Sequence, residues 1–310
     1  MAEQRIGWIG AGRMGFALAE RLLKAGVRLS VYNRTRAKAE PLAQKGAKIA
    51  QSIGDLADCD LVFVIVAASD DLLEVIGGPQ GLLSRAGRAP RIVVDSSTVS
   101  EGASAKARAL LAKRGAQFVC APVSGNPKVV RSGKLGVVAS GPKAAFDEAA
   151  PYLKLFGRGV SYVGEGERAR IVKICHNVFL GIVAQTLAEI TVLAEKNGVP
   201  RHAFLAFIND SVMGSVFTRY KTPALVNLDF AATFTPPLLR KDLDLGLEAA
   251  REFDVPMPLT AMTREILQSM IGNGYTECDF AALLEVTAKG AGLKLVPENV
   301  KVSDGLEPQA

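Results

Sequence analysis

Hydrophobic positions along this chain fall into two regimes. Up to about residue 163, short apolar runs alternate with amphipathic helical stretches. The runs at 5–10, 28–32, 48–49, 61–66, 91–94 and 117–120 read as strands. Leu61-Val-Phe-Val-Ile-Val66 is continuous and rich in β-branched residues, as expected of a strand buried on both faces. Strand alternating with helix predicts a doubly wound, mostly parallel α/β sheet. Residues 133–141 add a strand, 146–155 a helix and 159–163 a last strand. After Val163 no strand pattern recurs. Helical periodicity runs through 167–196, 201–210, 237–252, 258–271 and 280–290, with a less regular loop at 214–235. The pattern therefore predicts an N-terminal domain over 1–164 and an all-α domain over 165–295, joined by a long interdomain helix. A polar tail with two prolines, 296–310, is expected to fray.

The turn after the first strand carries chemistry. Gly10-Ala11-Gly12-Arg13-Met14-Gly15 is G-x-G-x-x-G after a strand and opening a helix. Gly10 permits a tight turn, Gly12 lets the backbone approach a pyrophosphate, and Gly15 lets helix and strand pack closely. A pyrophosphate there would sit on a helix N-terminus, where unpaired N–H groups and the dipole favour anions. In this frame the motif predicts a Rossmann dinucleotide-binding domain; a glycine-rich turn without a ligand is the bland alternative. The second strand ends in Asn33-Arg34-Thr35, where an NAD site would place a carboxylate on the ribose 2′-hydroxyl. An arginine there suits a 2′-phosphate, so NADP(H) is expected over NAD(H). Two polar stretches follow later strands, Asp95-Ser96-Ser97-Thr98 and Ala121-Pro122-Val123-Ser124-Gly125-Asn126. Ligands of such sheets bind beyond the strand carboxyl ends, although either string also serves as plain turn chemistry.

The long helix over 167–196 contains Lys173 and Asn177, one turn apart on one face, with His176 beside them. A lysine and an amide on so apolar a helix suit a general acid beside a substrate-orienting group. The alternative is a lysine at the helix edge that snorkels to water.

Composition narrows the field. The net charge of +6 is dispersed and aromatics are 6%, which favours a small anionic or aldehyde substrate over nucleic acid. The four cysteines form no CxxC, so a reducing compartment is expected and no metal site. Cys175 reads as a small buried hydrophobe. The longest purely apolar run, Leu61 to Ala68, is too short to span a bilayer, and a strand from about Arg5 leaves no room for a leader. A cytoplasmic protein without a membrane partner is expected.

Four motifs in order, Gly10–Gly15, Asp95–Thr98 with Ala121–Gly125, Gly164-Glu-Gly166 leading to Lys173-x-x-x-Asn177, and Lys241-Asp-Leu-Asp-Leu245, resemble the β-hydroxyacid dehydrogenase family over about 5–292. That group includes 3-hydroxyisobutyrate dehydrogenase, tartronate semialdehyde reductase and the 6-phosphogluconate dehydrogenases. The resemblance implies NAD(P)-dependent interconversion of a β-hydroxyacid and its semialdehyde. Lys173 would be general acid/base and Asn177 would orient substrate. Ser124, Gly125 and Asn126 would hold a carboxylate. Ser97 and Thr98 would lie between substrate and nicotinamide; His176, where the family often has another residue, reads as a substrate contact, a modulator of Lys173 or a structural histidine. Cofactor contacts would come from Gly10, Ala11, Gly12, Arg13, Met14, Gly15, Asn33, Arg34, Thr35, Val66, Thr98 and Lys241. A homodimer or homotetramer is implied, since the long helix buries more surface than one small helical domain covers. The chain departs from the family at Asn126, often glycine, and His176, often asparagine, both beside the expected substrate pocket. Arg219 and Lys221 read as surface charge. An imine reductase on the same fold, or a non-catalytic dinucleotide-binding scaffold, are the competing readings.

Overall fold

The computed structural model describes residues 4–307. The described residues divide into two compact units between Lys173 and Ile174. In the first, six parallel strands form one sheet: β1 (Ile6–Ile9), β2 (Leu29–Tyr32), β3 (Lys48–Ile49), β4 (Leu61–Val64), β5 (Ile92–Asp95) and β6 (Gln117–Cys120). Their order is β3-β2-β1-β4-β5-β6. The order reverses between β1 and β4, and in such sheets the ligand crevice lies at that reversal, beyond the strand carboxyl ends. Helices α1 (Arg13–Lys24), α2 (Glu40–Ala43), α3 (Ser69–Gly77) and α4 (Glu101–Ala112) connect these strands. All four residues of β4 are buried, as its unbroken apolar run requires. Trp8 on β1 is fully buried, stacks on Phe63 of β4 at 5.7 Å and donates its indole N–H to Gly10 O at 2.7 Å. The aromatic core thus pins the start of the glycine turn.

The last strands depart from the expected single sheet. After β6 the chain makes β7 (Val123–Ser124), α5 (Pro127–Arg131), β8 (Leu135–Ala139), α6 (Lys143–Lys154) and β9 (Gly157–Tyr162). Here β7 pairs antiparallel with β8, and β8 parallel with β9, as a separate three-stranded sheet. β7 has two residues and α5 starts on Pro127, so neither shows a period in the sequence. Pro127 suits the first turn of a helix, where its missing N–H costs nothing.

The second unit is helical. It comprises α7 from Ile174 onward (α7 as a whole is Arg168–Lys196), α8 (Arg201–Asp210), α9 (Val216–Asn227), α10 (Pro236–Glu252), α11 (Pro258–Gly272) and α12 (Leu283–Gly290). Its core gathers Ile174, Val178, Leu187 and Val192 of α7 with Leu225, Leu243, Leu267, Phe280 and Leu284. By length and composition α7 is apolar enough to cross a membrane, but half of that window is buried inside the protein, as in a core helix. Val172, Phe179 and Leu193 line its exposed side. Cys175 lies on that side too and is exposed, contrary to its expected burial.

Three further expectations are corrected here. The stretch read as an irregular loop contains α9, hidden in the sequence by Pro223 within it. A capping box of Ser215 and Thr218 starts the helix. Lys221 on α9 is buried rather than a surface charge: Nζ donates to Asp279 Oδ1 at 2.5 Å and lies 4.5 Å from the Phe280 ring centroid. Asp279 Oδ2 also accepts from Thr233 N, Thr233 Oγ1 and Phe234 N, fixing the segment before α10. Arg219 donates to Asn209 O. The tail is the third correction. Glu298 accepts the N–H groups of Arg201 and His202 at 2.6 and 3.0 Å, placing its carboxylate on the N-terminus of α8. The buried guanidinium of Arg201 donates to Val226 O at 2.9 Å and to Val296 O, and the Asn227 side chain brackets Val300 at 2.9 and 3.2 Å. Val296, Glu298 and Val300 are therefore tied to helices 73 to 97 residues earlier, a link that local polarity does not reveal. Residues 308–310 lie outside the described residues.

Lys221→Met would strand a buried carboxylate, and removing one partner of such a pair costs about 3–5 kcal/mol. Burial alone would raise the Asp279 carboxyl, but the Lys221 ammonium and the Thr233 and Ala281 hydrogen bonds outweigh it and hold the pKa below its ordinary value. This stabilisation is present above about pH 4, the unfolded carboxylate range, and is lost as pH falls through the lower folded pKa. In urea titrations the stability gap between wild type and Lys221→Met is expected to be wide at pH 7 and to narrow below about pH 4. A gap unchanged with pH would contradict the assignment.

Candidate active site

The glycine turn is built as its spacing demands. Gly10 has φ +102°, and a Cβ there would lie 2.0 Å from Ile65 O. A Cβ on Gly15 would lie 2.2 Å from Gly10 O. Gly12 differs: its φ is −68°, and a Cβ would meet no other described atom within 4 Å. Its glycine thus answers to nothing inside the fold. Gly12 is the N-cap of α1, and among the described residues no side chain caps it and no acid lies in the first turn. An open backbone at a helix N-terminus fits a pyrophosphate. Ala11, Arg13 and Met14 complete the turn, with Ala11 buried.

Asn33 ties this turn to the end of β2. Its Oδ1 accepts Ala11 N–H at 2.7 Å and its Nδ2 donates to Thr35 O at 2.8 Å. The Asn33 amide is therefore engaged in shaping the turn. Arg34 and Thr35 are exposed at its tip, and Arg34 Nη1 makes a 3.5 Å ion pair with Asp71. A pair that long and that exposed is weak and yields to a better anion.

Beyond β4 and β5 lies a buried polar network. Val66 N–H donates to Ser97 Oγ at 2.8 Å, and Ser97 Oγ–H donates to Asp95 Oδ1 at 2.6 Å. Arg170 donates through Nη2 to Asp95 Oδ2, through Nη1 to Ser97 O at 2.6 Å and through Nε to Ser104 Oγ at 3.0 Å. Ser97 is 1% exposed with its hydroxyl engaged at both ends, whereas Thr98 beside it is only partly buried. In the Ser124–Asn126 stretch, Gly125 is exposed with φ +140°. Asn126 is buried, and its Oδ1 caps α5 by accepting from Lys128 N and Val129 N at 2.9 and 3.1 Å. That oxygen is occupied by the start of a helix and does not serve a ligand.

Lys173 is 7% exposed and ends the first unit; Asn177 lies one turn on in the same helix and is 3% exposed. The Asn177 amide is clamped. His176 Nδ1 lies 2.9 Å from Asn177 Oδ1, so the ring nitrogen is the donor, and Asn177 Nδ2 donates to Asp242 Oδ2 at 2.5 Å. Asp242 is 1% exposed, and its other oxygen lies 3.1 Å from Lys241 Nζ, an ion pair without a well-directed hydrogen bond. The second unit thus brings His176, Asn177, Lys241 and Asp242 together. Asp242 and Arg170 join the site through side-chain contacts that residue spacing alone does not assign. The signals were present: Asp242 follows Lys241 within its motif, and Arg170 is a cation one turn before Lys173 on an apolar helix.

Known proteins match the chain over nearly its whole length. The profile described as the NAD binding domain of 6-phosphogluconate dehydrogenase matches residues 5–164. The profile described as NAD-binding of NADP-dependent 3-hydroxyisobutyrate dehydrogenase matches 167–287. The 2-(hydroxymethyl)glutarate dehydrogenase of Eubacterium barkeri is 32% identical over 293 residues, covering 94% of this chain and 97% of that protein. The chain belongs to the β-hydroxyacid dehydrogenase family. As a member of that family it is an oxidoreductase that uses a nicotinamide dinucleotide. Glyoxylate/succinic semialdehyde reductase 2 of Arabidopsis thaliana, a chloroplastic protein, is 29% identical over 90% of this chain and 78% of its own length. The solved structure of Psf3 in complex with NADP+ and 2-OPP superposes with a TM-score of 0.82 at 26% identity, covering 91% of this chain and 99% of that one. The match of this chain to its relatives thus runs through both units.

Proposed function

We propose that this chain interconverts a short β-hydroxyacid and its semialdehyde with NADP(H), Lys173 serving as general acid and base. The observation that carries the reading is a buried lysine one helical turn from a buried amide fixed at both ends. A lysine buried merely for packing needs no such neighbour. A bound nicotinamide supplies or accepts the hydride. As a carbonyl is reduced, negative charge gathers on its oxygen, and the Lys173 ammonium stabilises that charge and gives up a proton to it. In the oxidative direction the neutral amine takes the hydroxyl proton back. Asn177 orients the substrate, its own direction set by His176 and Asp242, and Lys241 contributes a further cation toward cofactor and substrate. Ser124 and the N–H groups of Gly125 and Asn126 are the donors for a carboxylate.

Carbonyl and carboxylate occur together in glyoxylate and succinic semialdehyde, the compounds for which the Arabidopsis relative is named. The reading therefore expects a semialdehyde to be reduced with a kcat/KM about 100-fold above an uncharged aldehyde of equal length, the worth of one or two charge-assisted hydrogen bonds. Equal rates for the two would remove the carboxylate site from the account.

NADP(H) is favoured by the exposed Arg34 and by the neutral Asn33 in place of a carboxylate. Arg34→Ala is expected to weaken NADPH binding about 10- to 100-fold and NADH binding by less than threefold, since a guanidinium–phosphate pair is worth about 1.5–3 kcal/mol. Fluorescence titration of the two cofactors checks this, and an equal effect on both would place Arg34 away from the 2′-phosphate.

A further inference from the structure

We propose that the buried Arg170–Asp95 pair is a positioning device that fixes the first turn of α7, and with it Lys173, against the carboxyl ends of β4 and β5. This rests on the reading of Lys173 as the proton donor.

The chain enters α7 through Gly164 and Gly166, both in the left-handed region at φ +106° and +66°. Such an entry leaves the helix start to be fixed by contacts. The Arg108–Glu167 ion pair is half-exposed on its arginine side, and Ser140 Oγ accepts Ala169 N–H at 3.0 Å. Arg170 is the deeper tie. Its side chain is 1% exposed, and its three nitrogens each reach a different acceptor: a carboxylate on β5, a carbonyl just after it and a hydroxyl on α4. Lys173 lies three residues on, about 60° around the helix and on the same side. The same Asp95 holds Ser97 through its other oxygen, and Ser97 holds Val66 N–H. One connected set of bonds therefore joins the helix of the proton donor to both strand ends at the crevice.

A buried ion pair is weak evidence for stability in itself, because desolvation offsets the attraction. What this one fixes is geometry. A guanidinium bridging three acceptors holds a helix turn in one place, and misplacing a reacting group by about 1 Å costs on the order of 100-fold in rate.

The test uses the doubly neutral Arg170→Met/Asp95→Asn protein, which strands no buried charge. Asparagine at 95 keeps an oxygen for Ser97, so the Ser97–Val66 link survives while α7 is released from β5. Single-turnover oxidation of NADPH with a short semialdehyde reports the chemical step, and NADPH fluorescence reports cofactor binding. The expected result is hydride transfer about 30- to 100-fold slower with an NADPH Kd within about threefold of wild type. In a Lys173→Ala background the same pair of changes should cost less than threefold, because residues acting through one group are not additive. Arg170→Lys keeps the charge and the fold but cannot reach three acceptors. It should fall between wild type and the neutral pair, and carries the test if the double variant does not fold. A rate within threefold of wild type, an equal loss in the Lys173→Ala background, or a loss explained by cofactor Kd would each overturn the proposal. Lys173→Ala assayed alone separates the two ideas: normal turnover there would sink the reading of Lys173 itself.

Discussion

Lys173→Ala is expected to slow carbonyl reduction about 1,000-fold, with NADPH binding within about threefold of wild type. The size follows from what the residue does. Proton transfer by a positioned side chain contributes about 100- to 10,000-fold, and a factor of 1,000 is about 4 kcal/mol. Lys173 is buried, so its charge acts where water screens it little. The side chain is not needed to hold the dinucleotide turn, which is built from Gly10–Gly15 and Asn33 at the other end of the first unit's sequence. The loss should therefore appear in kcat, with KM for substrate changing less, because Asn177 keeps its partners His176 and Asp242. Lys173→Arg preserves the cation but a guanidinium does not release its proton near neutral pH. It should recover little in either direction. Steady-state and single-turnover rates of the purified variants measure both. A loss of less than tenfold in Lys173→Ala would mean that another group protonates the oxygen.

Gly12→Val is expected to leave the fold intact and weaken dinucleotide binding at least about 100-fold. The three glycines of the turn have different reasons to be glycine. Gly10 and Gly15 are packed against backbone oxygens at distances no Cβ tolerates, so Gly15→Ala should lower the unfolding temperature. Gly12 has an ordinary φ and open space before it, so the folded chain alone does not require it. What requires it is an anion brought against the backbone. A valine there would hold a phosphate away from N–H groups whose charge-assisted bonds are worth about 1.5–3 kcal/mol each, and losing one or two gives that factor. Thermal unfolding should shift by no more than a few degrees. Normal NADPH affinity in Gly12→Val would refute the assignment of this turn to the pyrophosphate.

Much of this was legible because it is local. The glycine turn, its strand and its helix all lie between Ile6 and Lys24, so their spacing is visible in one short stretch. Strand–helix alternation indicates the parallel sheet, and helical periodicity after Val163 indicates the helical unit. What escaped the sequence was set by distant partners. Arg170 and Asp95 are 75 residues apart, and Glu298 lies about 97 from the helix start it caps. Lys221 looked like a surface cation because Asp279 is 58 residues away, and α9 looked irregular because a proline sits inside it. Among the site residues, Asn126 and Ser97 show why residue type alone misleads. Both are polar groups at strand ends, yet one amide oxygen caps a helix and one hydroxyl links two strand ends.

The most direct measurement is reduction of short semialdehydes by the purified protein with NADPH carrying deuterium at the transferred position. The account predicts NADPH consumption, deuterium on the former carbonyl carbon of a hydroxyacid product, and a markedly lower rate with NADH. Tight NADPH binding with no semialdehyde consumed, and reduction of a cyclic imine in its place, would contradict it.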